Sequence, residues 1–199
     1  MVRKMFRAID RLDTQWLAAL TLSALVATLV LSVLVSATAT PLVERTGTAL
    51  VDLQLSGAYP YLAWVPKGKG KTPTKALLTK WNTEKWEDGN LLAVARRSQR
   101  IDFGFALAYG VFWLLVAVAT WRTHPAYPHG GRWVWLIALG ALAAIFDECE
   151  NALLWNLLGH PTDPNLLIAG VASAFAVAKI ILLILAPLIL IAALRRARP

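Results

Sequence analysis

Four long apolar runs limit what this chain can fold into more than any other feature of its sequence. They cover about residues 16–35, 101–121, 133–158 and 166–194. About 20 helical residues cross a hydrocarbon core of about 30 Å, so each run is long enough to span a membrane. Because 57% of the 199 residues are hydrophobic, little sequence remains for a separate soluble domain. The sequence therefore predicts an all-α, polytopic membrane protein, with residues 1–199 forming a single domain of four transmembrane helices.

The connection between the first two runs, residues 36–100, is predicted to contain a helix of its own. In the segment Lys75–Trp86 the apolar side chains recur at helical spacing, and charged side chains occupy the other faces. The apolar positions are Leu77, Leu78 and Trp81. This pattern is typical of an amphipathic helix that lies at a membrane surface. Residues 90–100 are predicted to continue into the second span without a break.

Basic residues near both termini favour a cytoplasmic location for each of them. These residues are Arg3, Lys4, Arg7, Arg11, Arg195, Arg196 and Arg198. An even number of spans places both termini on one side, and Lys and Arg are enriched on the cytoplasmic side. We therefore expect a multi-pass protein of the inner (cytoplasmic) membrane with the long connection outside. A net charge of +8 would also suit nucleic acid, but the basic residues adjoin apolar runs, so membrane lipids are the predicted partners and nucleic acid is not.

The third run carries four polar side chains where a membrane-spanning helix is expected to be apolar. In the stretch IFDECENALLW, Asp147, Glu150 and Asn151 are three and four residues apart and share one helical face. Glu148 points about 100° away from Asp147. A charge that meets lipid costs about 3 kcal/mol or more, so the shared face is predicted to turn toward the other helices.

Polar residues of the second and fourth runs are predicted to meet this face. Lys179 interrupts the fourth run about 20 Å from its start, and Asp147 lies at a similar height in the third run, which has the opposite direction. A buried lysine requires a carboxylate, so Lys179 is expected to pair with Asp147 or Glu150. The predicted ligand-binding residues are Asp102, Tyr109, Asp147, Glu150, Asn151 and Lys179, with Phe105, Tyr109, Trp113 and Trp155 lining the apolar part.

Two interpretations of these polar residues stay open from the sequence. In the structural one, buried ion pairs fix the helix register, and Asp102 lies at the interface beside Arg96 or Arg100. In the functional one, three acids against one buried lysine leave negative charge that a proton or a bound positive group must balance. A divalent ion on Asp102, Asp147 and Glu150 is a less favoured alternative, and no metal site is predicted. The histidines lie singly in connections, at His124, His129 and His160, and the sequence identifies no cofactor.

The same residues resemble a pattern found in small bacterial four-span membrane proteins of unknown function. The resemblance is carried by Asp102-Phe103-x-Phe105 with Tyr109, by Asp147-x-x-Glu150-Asn151, and by Lys179 in the last run. It covers the last three runs and implies a four-span fold. No activity, cofactor or catalytic residue comes with it.

These observations support three hypotheses about function. The first is a membrane protein that holds a lipid-like ligand or a partner subunit at the carboxylate and lysine site. The second is an intramembrane enzyme acting on a lipid or isoprenoid substrate, with Asp147 or Glu150 as the general acid and its neighbour as the base. The third is a proton-coupled transporter, which at four spans would have to work as a homodimer. Membrane lipids, a larger membrane complex and a homo-oligomer are the corresponding partners.

Overall fold

Helices make up nearly all of the structure. The computed structural model describes residues 13–57, 74–87, 89–123 and 137–196. Within these ranges the helices are α1 (Thr14–Thr46), α2 (Leu50–Leu55), α3 (Thr74–Thr83), α4 (Leu91–Thr123), α5 (Leu139–Gly159) and α6 (Leu166–Arg196). Between α3 and α4, a short antiparallel hairpin is formed by β1 (Lys85–Trp86) and β2 (Gly89–Asn90). The predicted all-α class is confirmed.

Three of these helices are long and apolar enough to cross a membrane, judged by length and composition. They are α1, α4 and α6, with spanning segments Thr14–Thr46, Leu91–Arg122 and Leu166–Arg195. The remaining long helix, α5, has 21 residues and carries Asp147, Glu148 and Glu150 near its middle. The structure therefore supports a membrane protein with three candidate spans and a fourth, more polar helix.

The first two spans are longer than predicted, so the connection between them is shorter than residues 36–100. Helix α1 continues through Pro41 to Thr46 and ends at Gly47, whose left-handed backbone (φ 69°) donates its N–H to the carbonyl of Val43. Polar side chains inside α1 bond back to its own backbone, as the Thr40 hydroxyl does to the carbonyl of Ser36. These polar side chains lower the mean hydropathy of the last turns of α1, so the apolar run ends before the helix does.

The other boundaries follow the predictions in part. Helix α4 begins at Leu91, which confirms that residues 90–100 lead into the second span without a break. Helix α5 begins at Leu139 within the described residues, and residues 133–136 of the predicted third run lie outside the described part of the chain. The predicted orientation and the prediction about metal sites depend in part on residues that also lie outside it: Arg3, Lys4, Arg7, Arg11, Arg198, His124 and His129.

The helix predicted at Lys75–Trp86 is present as α3, and it ends three residues earlier, at Thr83. It ends there because Lys85 and Trp86 pair with the second strand of the hairpin, and Glu87 turns the chain with a positive φ of 50°. Its apolar side chains are fully buried against the rest of the protein: Leu77, Leu78 and Trp81. Helix α3 therefore covers one end of the bundle.

The long helices form an open row rather than a closed ring. Helix α1 packs against α4, α4 against α5, and α5 against α6. No comparable packing joins α1 to α6, while α2 packs against α6 at the end of the bundle near α3. The open row leaves a cleft between α1 and α6.

Two regions of the bundle are packed with different kinds of side chain. The loop-end region consists of α2, α3, the hairpin and the adjoining ends of the four long helices, and its core is made mainly of leucine, with Trp81 as its largest side chain. The apolar half comprises residues 14–35, 103–123, 139–146 and 180–196, and its buried contacts are built largely on alanine and glycine. The polar side chains of the candidate site lie between the two regions.

Candidate functional site

A buried lysine joins two carboxylates between α5 and α6. Nζ of Lys179 lies 2.7 Å from Oε2 of Glu150 and makes an even closer ion pair with Oδ1 of Asp147. Asp147 and Glu150 are three residues apart on α5, so both reach the same ammonium group. All three side chains are buried, with Glu150 wholly removed from the surface. The sequence predicted a pair with either acid, and the structure contains both pairs.

Tyr109 of α4 engages the second oxygen of Asp147. Its hydroxyl lies 2.9 Å from Oδ2 of Asp147 and 3.1 Å from the carbonyl oxygen of Ala143, so its proton can be shared between two acceptors. With Lys179 on Oδ1, both carboxylate oxygens of Asp147 have partners. This carboxylate is therefore fixed in place from two helices.

Asn151 extends the buried polar network to a residue that the sequence reasoning missed. Nε2 of Gln99 donates to Oδ1 of Asn151 at 2.6 Å, and both side chains are fully buried. Gln99 was overlooked because the second span was predicted to begin at Ile101. The spacing of Gln99 and Asp102, three residues apart on one helix, would have revealed it once α4 was extended to Leu91.

The network retains hydrogen-bonding capacity after these contacts. Within the described part of the chain, the buried atoms without a hydrogen-bond partner are Oε1 of Gln99, Oε1 and Oε2 of Glu150, and Nδ2 of Asn151. Oε2 of Glu150 is nevertheless held by its charge contact with Lys179. Buried polar atoms in proteins usually have a hydrogen-bond partner, so a group of unpartnered atoms at one place needs an explanation other than packing.

Asp102 is buried beside this network without a positively charged partner of its own. Its side chain is 8% exposed, and no ion pair joins it to any described residue. The alternative in which Asp102 pairs with Arg96 or Arg100 at the membrane interface is therefore wrong. Arg96 donates from Nε (3.1 Å) and Nη2 (2.6 Å) to the carbonyl of Leu158, and the guanidinium of Arg100 lies 5.3 Å over the ring of Trp155.

The cleft between α1 and α6 contains a cavity of about 570 Å³ that reaches the charged residues. Asp102, Asp147 and Lys179 line it from three different helices. Its apolar walls come from Val35, Ala39, Val43, Leu50, Val51, Phe105 and Leu183, and its polar lining from Ser36, Thr40, Glu44 and Gln54. The cavity is therefore lined by apolar side chains on most sides and by charged side chains at Asp102, Asp147 and Lys179.

The predicted aromatic lining is only partly present. Phe105 lines the cavity and packs edge-on against Tyr109, with ring centroids 5.2 Å apart. Tyr109 lies behind Phe105 and contributes its hydroxyl to Asp147 instead. The predictions for Trp113 and Trp155 are wrong: Trp113 packs against Gly140, and Trp155 is 37% exposed beneath Arg100. Neither tryptophan lines the cavity, because each lies on another face or at another height of the bundle.

The residues next to the network on α5 face outward. Glu148 is half-buried and takes part in no ion pair among the described residues, as its position 100° from Asp147 predicts. Cys149 is exposed and has a free thiol. Neither residue lines the cavity between α1 and α6.

The three acids do not form a metal centre in this arrangement. Across residues 13–57, 74–87, 89–123 and 137–196, no group of three His, Cys, Asp or Glu side chains is placed to hold a metal ion. Lys179 instead lies between Asp147 and Glu150. The geometry thus gives no support to the divalent-ion alternative.

Comparison with known proteins adds no functional information. No family model matches the chain, and neither does any curated protein or solved structure. The function must therefore be argued from the site itself.

Proposed function

We propose that this protein crosses the membrane four times and binds an amphiphilic, lipid-like ligand in the cleft between α1 and α6. The observation that carries the proposal is the cavity of about 570 Å³, whose apolar walls lead to Asp102, Asp147 and Lys179. Ligand sites of this size are typically apolar with a few polar groups that fix orientation. A soluble ligand would not need an apolar wall that opens between two lipid-facing helices.

The fourth span in this proposal is α5. Its 21 residues extend about 32 Å, which matches a hydrocarbon core of about 30 Å. Two of its acids are buried against Lys179, so their charges do not meet lipid. Its outward side chains in the apolar half include Leu142 and Ile145. These features leave the half-buried Glu148 as the one acid of α5 whose charge is not balanced by Lys179.

The remaining topology follows from the four spans. Both termini would lie on the cytoplasmic side of the inner membrane, and α2 and α3 would cover the bundle at the outer surface. The buried face of α3 and its exposed Lys75 and Lys80 fit a helix between protein and headgroups.

Cysteine labelling would test this topology. Cys149, the single cysteine in the sequence, faces outward on α5. A membrane-impermeant maleimide should leave it unmodified in intact vesicles and should modify it after denaturation. As a control, Thr79→Cys in a Cys149→Ala background places a thiol at an exposed position of α3 and should react from the outer side. Rapid labelling of Cys149 in vesicles would exclude a lipid-facing α5.

The path for the ligand is lateral. Because α1 and α6 are not packed against each other, an acyl or isoprenoid chain can enter the cleft from the lipid phase without leaving an apolar environment. Its polar group would then meet Asp102 and the pair of Asp147 with Lys179, while its chain would lie along Val43 and Leu183. This arrangement satisfies both ends of an amphiphile.

Native mass spectrometry of the protein in mild detergent would test ligand binding. We expect one defined small-molecule mass to be retained by the wild type. Thr40→Trp places an indole in the cavity and should abolish retention, whereas Ala37→Trp, also at an exposed position of α1 but outside the cavity, should not. Loss of ligand in neither variant would contradict the proposal. A larger assembly at fixed stoichiometry would instead identify an accessory subunit.

A second candidate function is acid–base catalysis on such a ligand. It is favoured by Asp102 and Asp147 lining the same cavity, one without an ion pair and one held by Lys179 and Tyr109. Glu150 does not line the cavity, so Asp147 is the better of the two acids considered from the sequence. Incubation with a total lipid extract should then yield a product with the wild type and none with Asp102→Asn. Equal product from both would exclude Asp102 from catalysis.

A further inference from the structure

The wall of the cavity carries more negative than positive charge. Asp102, Asp147 and Glu44 line it, and among the described residues Lys179 is the single basic one that does so. Lys179 is moreover shared between Asp147 and the fully buried Glu150. The ammonium group of Lys179 is therefore already bound by two carboxylates, and Asp102 has no ion pair of its own among the described residues.

Three arginines of α4 and α1 contact other partners. Arg96 is bound to the carbonyl of Leu158, and Arg100 lies over Trp155. Arg45, next to Glu44 on α1, lies 5.1 Å over the ring of Trp86. None of the three lines the cavity, so none supplies the missing charge there.

We propose that the ligand of this cleft is an amphiphile with a protonated amine, which binds Asp102. This inference rests on the proposed function and adds the chemical class of the ligand. An ammonium group offers up to three N–H donors, and its hydrogen bonds to a carboxylate are about twice as strong as neutral ones. The apolar walls of the cavity remove the water that would otherwise weaken this contact. The tail of the amphiphile lies along α1.

An anionic headgroup fits the same cavity poorly. A phosphate without an amine would meet Asp102, Asp147 and Glu44, and like charges facing each other disfavour the wrong partner strongly. Lys179 offers no compensation, because it would have to leave two buried carboxylates to bind such a group. The charge of the headgroup should therefore determine which of two lipids with the same acyl chains binds in the cleft.

The amine can come from a phospholipid headgroup or from a single-chain amine, and competition distinguishes these sources. The protein is placed in nanodiscs that contain equal amounts of phosphatidylethanolamine and phosphatidylglycerol with identical acyl chains. Native mass spectrometry then measures which lipid remains bound after release. Dodecylamine and dodecanol, added separately, report whether a single-chain amine displaces the lipid and whether the amine is required for displacement.

Three variants connect the selectivity to the cleft. The wild type should retain phosphatidylethanolamine over phosphatidylglycerol by about tenfold, the effect of one charge-assisted contact. Asp102→Asn should lose this preference while still retaining lipid. Glu44→Gln changes an exposed residue of the cavity wall, and it should reduce the preference by a few fold. Asp163→Asn, which changes an exposed acid outside the cavity, is the matched control and should behave as the wild type.

The outcomes separate this inference from the proposed function. Displacement by dodecylamine but not by dodecanol supports amine recognition whichever lipid is bound, and displacement by both overturns it. Lipid retained in the cleft without preference for the amine would leave the proposed function standing and overturn the amine assignment. No lipid retained by the wild type would overturn both.

Discussion

The loop-end region and the apolar half of this bundle share the four long helices, yet one buries mainly large side chains and the other mainly small ones. In the loop-end region large apolar residues are inside, including Leu42, Leu53 and Trp81, each with no exposed surface. In the apolar half the wholly buried residues include Ala106 and Ala143, while leucines and isoleucines cover the outside. The difference shows which solvent each region is built to meet.

The loop-end region follows the rules of a water-soluble core. Burying a leucine or larger side chain contributes about 1.5–3 kcal/mol when the alternative is water. Helix α3 exposes Lys75 and Lys80 and buries its apolar face, so its stability comes from removing that face from water.

The apolar half follows the rules of helix packing in lipid. Lipid is as apolar as leucine, so close backbone approach at small residues holds helices together there. Gly110 lies against Ala144, and Gly140 lies against the indole of Trp113. Exposed side chains such as Val33 (66%) and Ile184 (57%) form a surface too apolar for water. The charged residues lie where the two packing regimes meet.

The largest expected effect is in the loop-end core. Trp81→Ala removes a fully buried indole whose Nε1–H donates to Oγ1 of Thr48 at 3.1 Å. We expect a loss of about 4 kcal/mol in the free energy of unfolding, measured in mild detergent by denaturant titration. Trp16→Ala removes a tryptophan that is 66% exposed and should cost little. Equal losses in the two variants would contradict the distinction between the regions.

Removing the buried cation should have the next largest effect. Lys179→Met leaves Asp147 and Glu150 without their ammonium partner, and the expected loss is about 3 kcal/mol. Adding Asp147→Asn to this variant should restore part of the stability, because one uncompensated charge is removed. A double variant that is less stable than Lys179→Met alone would show that the ion pairs are not the source of the loss.

Close helix approach in the apolar half can be tested at two glycines of α4. A Cβ at Gly110 would lie 2.6 Å from Cβ of Ala144, so Gly110→Ala must separate α4 from α5 and should cost about 2 kcal/mol. At Gly104 the nearest atom is 3.8 Å away, on Leu31, so Gly104→Ala should be neutral or slightly stabilising. Thermal unfolding of both variants measures the two effects. A larger loss of stability in Gly104→Ala than in Gly110→Ala would contradict close packing of α4 on α5 at Gly110.

The smallest effect is expected on the outer face of the apolar half. Leu114 is 44% exposed there, and Leu114→Ala should change the unfolding free energy in detergent by no more than about 0.5 kcal/mol. The matched change Leu77→Ala, in the loop-end core, should cost about 2–5 kcal/mol. Comparable losses at the two leucines would mean that both regions respond to the same solvent.

The sequence predicted the helices and the polar face well because both depend on local periodicity. Runs of apolar residues identified the long helices, and the spacing of Asp147, Glu150 and Asn151 placed them on one face, where they are all buried. The match in height between Lys179 and Asp147 followed from counting residues along antiparallel helices. These inferences need no knowledge of which helices are neighbours.

The cleft could not be predicted from the same signals. Periodicity shows which residues share a face, but it does not show that α1 packs on α4 and stands apart from α6. Residues of α1 therefore escaped notice, among them Thr40 and Glu44, although they line the cavity. Gln99 was missed for a related reason, since the span containing it begins earlier than hydropathy indicates.

An experimental structure of the full chain in a lipid nanodisc would test the central claim most directly. We expect an elongated density between α1 and α6, with its polar end within hydrogen-bond distance of Asp102 and its tail along α1. Helix α1 packed directly onto α6, with their side chains filling the space beside Lys179, would contradict it.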